Sequence, residues 1–278
     1  MATSDQRRRQ LARQKLERQQ QRRQAARRKT KRRNAVIAGG LAVVLAAGAG
    51  ACASVKLSGD DGAKADAAEQ PSASPSKAPD PCGKPAKGAP SKGHWDKEPA
   101  MSIDTSAAYT MRLDTTCGDI TLKLDAAKAP RTVNSFAFLA DKKYLDHSKC
   151  HRLVDQGIFV LQCGDPTGTG TGTPGYTIPD ENLKDPRLKG NVYPAGTVAM
   201  ANRYDGKDEK TRNTGGSQFF LVYENSQLPP NYTPFGTITK GMDVLKKIAA
   251  AGSTLDPSTG NTAPNATVVI DKAVVTKS

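Results

Sequence analysis

Strict alternation marks the first folded stretch of this chain. In Tyr109-Thr-Met-Arg-Leu-Asp114, and again in Gly118-Asp-Ile-Thr-Leu-Lys-Leu124, apolar and polar residues take turns. A period of two places the apolar set on one face of a strand, and the short gap between the runs predicts a hairpin. The pattern then changes. Ala129 to Ala140 carries Val133, Phe136 and Ala137/Leu139/Ala140 at helical spacing, with Pro130 near its start, where a missing N–H is harmless. Apolar runs near 151–155, 158–163, 196–201, 217–223 and 234–239 predict further strands. Gly241 to Ala251 predicts a second helix that Gly252 ends, and Ala266 to Val275 a closing strand. About eight strands and two helices in ~175 residues imply one β-rich domain, a barrel or a sandwich.

The chain before residue 101 follows other rules. Ala35 to Ala53 is 19 residues without a charge, close to the length that crosses a bilayer. We read 35–55 as a transmembrane signal-anchor. Residues 1–34 form a basic tail, and 56–100 read as a disordered linker rich in Pro, Ser, Ala and Gly. The domain proper is expected over 101–278. The basic flank precedes the apolar run and none follows it, so the N-terminus is expected in the cytoplasm and the domain outside, on a single-pass membrane protein. Two alternatives remain at this stage: a secreted protein after cleavage near Ala51-Cys52-Ala53, or a lipoprotein through Cys52.

Charge changes the picture of partners. Residues 1–33 hold 14 basic and two acidic side chains, which is +12 of the total +14. The folded part is therefore nearly neutral, and no nucleic acid is expected on it. The tail is expected to lie against anionic lipid head groups. Outside the apolar run, four cysteines remain: Cys82, Cys117, Cys150 and Cys163. Export permits disulfides, and four cysteines allow three pairings. Cys150 and Cys163 flank two strands joined by a turn, so Cys150–Cys163 with Cys82–Cys117 is the favoured set.

Several chemistries are excluded. Gly170-Thr-Gly-Thr-Pro-Gly175 matches a dinucleotide fingerprint formally, but Pro174 and Pro179 forbid the helix that such a loop must open. It reads as a Gly-rich surface loop. His147 and His151 lack a completing ligand set, so neither a metal nor a cofactor is expected. No G-x-S-x-G is present, and Ser217 does not sit in a nucleophile turn. What remains is polar residues on apolar strands: Arg152 in Arg-Leu-Val, Gln162 after Phe159-Val-Leu, and Gln218 before Phe219-Phe220. One fixed cation, amides and aromatic walls can bind and polarise a peptide, yet they offer no nucleophile to cut one.

Five blocks in order carry a resemblance: Cys150-His-Arg-Leu running on to Gln162-Cys-Gly-Asp-Pro166, Gly175-Tyr running on to Asp180-Glu181, Gly196-Thr-Val-Ala-Met-Ala-Asn202, Gly215-Gly-Ser-Gln-Phe-Phe220 and Phe235-Gly236. Over about 108–276 the chain resembles the cyclophilin type of peptidyl-prolyl cis–trans isomerase, and its bacterial exported or membrane-tethered members in particular. The resemblance implies an eight-stranded antiparallel β-barrel capped by two helices, with a substrate groove on the outer wall. It implies catalysis by Arg152, supported by Gln162. It places Phe159, Val160, Phe220, Leu228 and Tyr232 around the proline ring, and Ala201, Asn202 and Gln218 along the peptide backbone. The implied partners are Pro-containing segments of unfolded or exported proteins, with a weakly catalytic Pro-peptide binding module as the alternative. This chain departs from the family in Gly215-Gly216 where Asn-Gly is common. Gln227 replaces a frequent tryptophan and Tyr232 a frequent histidine. Two extra residues fall within Asp155-Gln-Gly157, and a charged insertion runs from Arg203 to Asn213.

Overall fold

The computed structural model describes residues 79–204, 206–256 and 261–278. The expectations for the basic tail, the membrane anchor and the first part of the linker fall outside the described residues. In chain order the elements are β1 (Tyr109–Thr115), β2 (Gly118–Leu124), α1 (Pro130–Asp141), β3 (Ser148–Lys149), β4 (Arg152–Gln156) and β5 (Ile158–Cys163). They continue with β6 (Val192–Tyr193), β7 (Thr197–Met200), β8 (Phe219–Val222), β9 (Ser226–Gln227) and β10 (Pro234–Lys240). The last are α2 (Met242–Ala250), β11 (Ser253–Leu255), β12 (Thr262–Pro264) and β13 (Val269–Lys277).

Nine strands form one curled antiparallel sheet in the order β3-β13-β1-β2-β10-β7-β8-β5-β4. Its two edge strands, β3 and β4, are joined through Cys150 and His151 alone, but no ladder pairs them. The closed eight-stranded barrel implied by the resemblance is thus a nine-stranded half-barrel here. The ninth strand is the two-residue β3, which pairs with the start of β13.

The alternation seen in the sequence gives the curled sheet its apolar inner face. Tyr109, Met111 and Leu113 of β1 and Ile120, Leu122 and Leu124 of β2 all face one buried core. Helix α1 adds Phe136, which stacks on Phe235 at 4.6 Å and meets Phe219 edge-on at 5.4 Å. No side chain of its own caps α1. Instead the Glu181 carboxylate accepts from the Arg131 and Thr132 amides at 3.1 and 2.9 Å, placing an anion at the positive end of the helix dipole. Helix α2 buries Leu245 and Ile248.

Strand β8 carries information of a different kind. All four residues, Phe219 to Val222, are buried. Phe219 and Leu221 enter the main core, whereas Phe220 and Val222 join a second apolar cluster with Val160, Leu188, Tyr193 and Ala199. The outer face of β5, β7 and β8 is therefore covered too, and that cover builds the site.

The linker expectation changes at its end. Residues 79–100 lie on the domain as a strap without helix or strand. Cys82–Cys117 and Cys150–Cys163 form the two disulfides. The first pins the strap to the β1–β2 turn, where Gly83 N–H also donates to the Thr116 carbonyl at 2.8 Å. Trp95 packs edge-on against Phe138 at 5.0 Å and tilts against Tyr144 at 5.7 Å. Composition signalled a solvated chain, but one tryptophan, one disulfide and backbone hydrogen bonds suffice to hold it.

Candidate active site

Strand register assembles the site. Arg152 on β4 stands opposite Gln162 on β5, Gln162 opposite Phe220 on β8, and Phe220 opposite Ala199 on β7. These four residues form one row across the outer face. Two glutamines link the row to the loop beside it. The Arg152 Nη1 donates to Gln162 Oε1 at 3.2 Å, and Gln162 Nε2 donates to Gln218 Oε1 at 2.9 Å. Gln218 Nε2 then donates to the carbonyls of Gly170 and Gly172, both at 3.0 Å. The orientation of both amides follows from chemistry. A guanidinium only donates and a carbonyl only accepts, so neither glutamine can flip without losing bonds.

The loop at the end of this relay is fixed by a buried carboxylate. Asp165 accepts from Thr167 N, Thr167 Oγ1, Gly170 N and Gly172 N at 2.7–3.0 Å. Burial alone would raise its pKa, but the donors from Thr167, Gly172 and Gly170 hold it below the usual carboxylate range. Gly172 has no alternative: a Cβ there would sit 1.9 Å from Asp165 Oδ1. Behind the loop lies His151, 3% exposed, with both ring nitrogens unpartnered. Burial lowers its pKa, so the neutral ring fills this space.

A small cavity of about 120 Å³ opens beside Arg152. Its walls are Ile158 and Val160 of β5, Phe220 of β8, Leu228 and Tyr232 of the following loop, and Gln162, Ala201 and Asn202. That is room for one small ring rather than a drug-sized ligand. Phe220 meets the Tyr232 ring edge-on at 5.5 Å. The chain of Tyr232 is itself clasped by Tyr193, whose hydroxyl donates to the Tyr232 carbonyl at 2.7 Å and accepts from the Tyr232 amide at 3.1 Å. Asn202 Nδ2 is spent on Asp180 and on the Asn231 carbonyl, which leaves the main chain of Asn202 as its means of meeting a peptide. Burial lowers the pKa of Arg152, opposed by the nearby Tyr232, but an arginine stays protonated at any working pH. Among the described residues, no cluster suited to a metal ion occurs.

Residues 110–275 match the family model for cyclophilin type peptidyl-prolyl cis-trans isomerases. The chain belongs to the cyclophilin family. The probable peptidyl-prolyl cis-trans isomerase B of Mycobacterium leprae (strain TN) is 46% identical over 172 residues, which cover 59% of this chain and 55% of that protein. Peptidyl-prolyl cis-trans isomerase B of Bacillus subtilis (strain 168) is 40% identical over 131 residues, 47% of this chain and 82% of that protein. The chain spans about half the length of the mycobacterial relatives it matches. A Cryptosporidium parvum cyclophilin type isomerase, crystallised in the presence of the dipeptide Ala-Pro, superposes with a TM-score of 0.48 at 28% identity, over 61% of this chain and 99% of that one.

Of the cyclophilin site residues expected from sequence, the structure gathers Arg152, Val160, Gln162, Ala201, Asn202, Phe220, Leu228 and Tyr232 around the small cavity. Gln218 stands behind Gln162 and faces a second cavity. Phe159 is the correction. It is half-buried, packs against the main core and meets Tyr223 edge-on at 5.9 Å, while Ile158 stands in the cavity wall. Period-two alternation forces this: if Val160 and Gln162 face outward, Ile158 does and Phe159 does not. Gln227 stays outside the cavity and donates to the Gly190 carbonyl at 3.0 Å. Sequence reading also missed the Thr-Gly loop that holds Gln218. Its signal was the repeat Thr167-Gly-Thr-Gly-Thr-Gly-Thr173, which the structure uses as a hydroxyl ladder, with Thr167, Thr169 and Thr171 Oγ1 atoms 2.8 Å apart in turn.

Proposed function

We propose that this chain accelerates cis–trans rotation about X–Pro bonds. The observation that carries the reading is the Arg152 guanidinium, held by Gln162 on the rim of an apolar cavity sized for a proline ring. In the planar ground state the prolyl nitrogen shares its lone pair with the carbonyl, which sets a barrier of about 18–20 kcal/mol. Twisting the bond returns that lone pair to nitrogen. A donor aimed at the nitrogen binds the twisted state better than the planar one, and such differential binding is catalysis. Arg152 spends one of its five N–H groups on Gln162, so the others remain for the substrate. The walls of Val160, Phe220, Leu228 and Tyr232 grip the ring and exclude water, which strengthens that hydrogen bond. The main chain of Asn202 holds the flanking peptide while the other side turns, and Gln218, whose two N–H groups are spent on the loop carbonyls, fixes Gln162. No covalent intermediate is needed.

The test is cis-to-trans turnover of a chromogenic X–Pro peptide by the protein and by its Arg152→Ala variant. Fast turnover lost in the variant supports the assignment. Peptide binding without turnover by the folded wild type would place the chain among Pro-peptide binding modules.

The same reading extends to location. The clients would be exported proteins, met outside the membrane by a domain anchored through 35–55, with the basic tail against anionic lipid on the cytoplasmic side. The supports are the charge-free 19-residue run, the basic flank on one side of it alone, and two disulfides that suit an oxidising compartment. Protease protection of the tail, but not of the domain, in intact cells would test the topology.

A further inference from the structure

We infer that Arg203 makes this site selective for an acidic side chain in the peptide segment that leads away from the proline. The inference rests on the isomerase reading above. It begins with two further hollows. The first, about 250 Å³, shares Gln162, Ala201 and Asn202 with the proline cavity, so the two adjoin. The second is an open groove of about 750 Å³ between the strap residues Asp96–Glu98 and the 173–177 segment. It shares Thr173 and Arg203 with the first. The three hollows therefore form one path, and Arg203 stands at its junction. A third of the last groove's lining, Asp96 to Glu98, comes from the strap, which precedes the residues matched by the family model.

Charge decides what this path accepts. Arg203 is the one charged side chain in the lining of the middle hollow. Its neighbours in that lining are hydroxyls, amides and small residues, none of which carries a compensating charge. Among the described residues, the carboxylates of Glu209, Asp180 and Glu98 are engaged elsewhere. Glu209 accepts from the Tyr204 hydroxyl at 2.8 Å and from Arg212 Nε at 2.7 Å. Asp180 accepts from Asn202 Nδ2 and from the Asn213 amide. Glu98 pairs with Arg131. Among the described residues Arg203 makes no ion pair, and its side chain is exposed. On the strap, Asp96 and Lys97 offset each other in charge.

The backbone of Arg203 is also set in advance. Its amide donates to Thr214 Oγ1 at 2.8 Å, which closes the root of the 203–213 insertion. Within the insertion the Arg212 guanidinium lies over the Tyr204 ring at 3.8 Å, and Glu209 ties the two together. That cluster consumes the second arginine of the loop. An exposed cation rooted at the junction of a peptide path, with no ion pair among the described residues, is a specificity device for a carboxylate.

The experiment uses the full chain and octapeptides containing one X–Pro bond. Ala, Glu or Lys is placed in turn at each of the four positions flanking that bond, and kcat/KM is measured at low and high salt. At the responsive position the Glu-to-Lys ratio should be about fivefold at low salt, the range of an exposed ion pair, and should shrink at high salt. It should hold in Arg203→Lys, approach unity in Arg203→Ala and invert in Arg203→Glu. Each ratio is internal to one variant, so a general loss of activity does not disturb it. A ratio unchanged in Arg203→Glu, or equal rates at every position in the wild type, would overturn the inference while leaving the isomerase intact. Absence of turnover on every peptide would remove the isomerase reading, and this one with it.

Discussion

Arg152 spends one donor on Gln162 and keeps the rest for the cavity, so its value is in chemistry rather than in packing. Arg152→Ala should lower kcat/KM by about 10²–10³, the usual cost of removing one transition-state donor, with little change in melting temperature. Arg152→Lys should not restore it, because an ammonium cannot present the planar fork. A turnover assay beside a thermal melt separates the two effects. Gly172→Ala should behave in a related way, since its Cβ would displace Asp165 and with it the loop carbonyls that hold Gln218. These residues were legible in the sequence to different degrees. Arg152, Gln162 and Gln218 stood out because polar side chains on apolar strands need a reason. Phe159 misled because the resemblance carried it into the cavity wall, and the local pattern offered no check. Where both faces of a strand are buried, hydrophobicity cannot tell which phase looks outward. The Asp165 and Thr-Gly loop contribution was illegible because it runs through backbone carbonyls, which no residue type announces.

The loop that covers the outer face of the sheet has its own pH limit. Asp185 is buried and accepts from Arg187 Nη2 at 2.7 Å, Arg187 N at 2.9 Å and Asn182 Nδ2 at 2.9 Å. Arg187 above all lowers its pKa from the ordinary value of 3.8 to about 2. A depressed carboxylate stabilises the fold fully above its unfolded pKa. That contribution is lost as pH falls from about 4 through about 2. We expect roughly 2 kcal/mol of stability to vanish over this window, and Asp185→Asn to abolish that part of the dependence. Chemical denaturation at a series of acidic pH values measures it; an Asp185→Asn curve parallel to wild type would refute it. Leu188, three residues on, belongs to the apolar cluster under Phe220, so acid should loosen the cavity wall before the main core. At this scale the sequence was informative for long elements. Both helices and the strands from β1 to β13 with clear periodicity came within a few residues of their observed bounds. The pairs β6–β9 and β11–β12 did not, because two or three residues carry no period.

Composition put the domain boundary at residue 101, whereas the fold begins earlier. The strap from 79 to 100 is bound by Cys82–Cys117, by the Ala86 amide on Asp271 at 2.9 Å and by the Trp95 amide on the Pro174 carbonyl at 2.8 Å. Trp95 covers Phe138 and Tyr144, and the chain around it leaves no room for a side chain at Gly175, where a Cβ would lie 2.6 Å from the Trp95 carbonyl oxygen. Burying most of one tryptophan is worth about 2 kcal/mol. A protein beginning at residue 101 should therefore melt about 4–8 °C below one beginning at residue 79, given the sensitivity of a domain this size. Reducing Cys82–Cys117 in the longer form should reproduce only part of that loss, because Trp95 stays attached to its neighbours without the disulfide. Thermal melts of the two lengths, each with and without reductant, give four values that separate the disulfide from the tryptophan. Equal melting of both lengths would return the boundary to 101 and reduce the strap to a passive tether. Lower melting of the short form would make the strap part of the domain, and it would then carry Asp96–Glu98 along one wall of the peptide path at a fixed distance from Arg203.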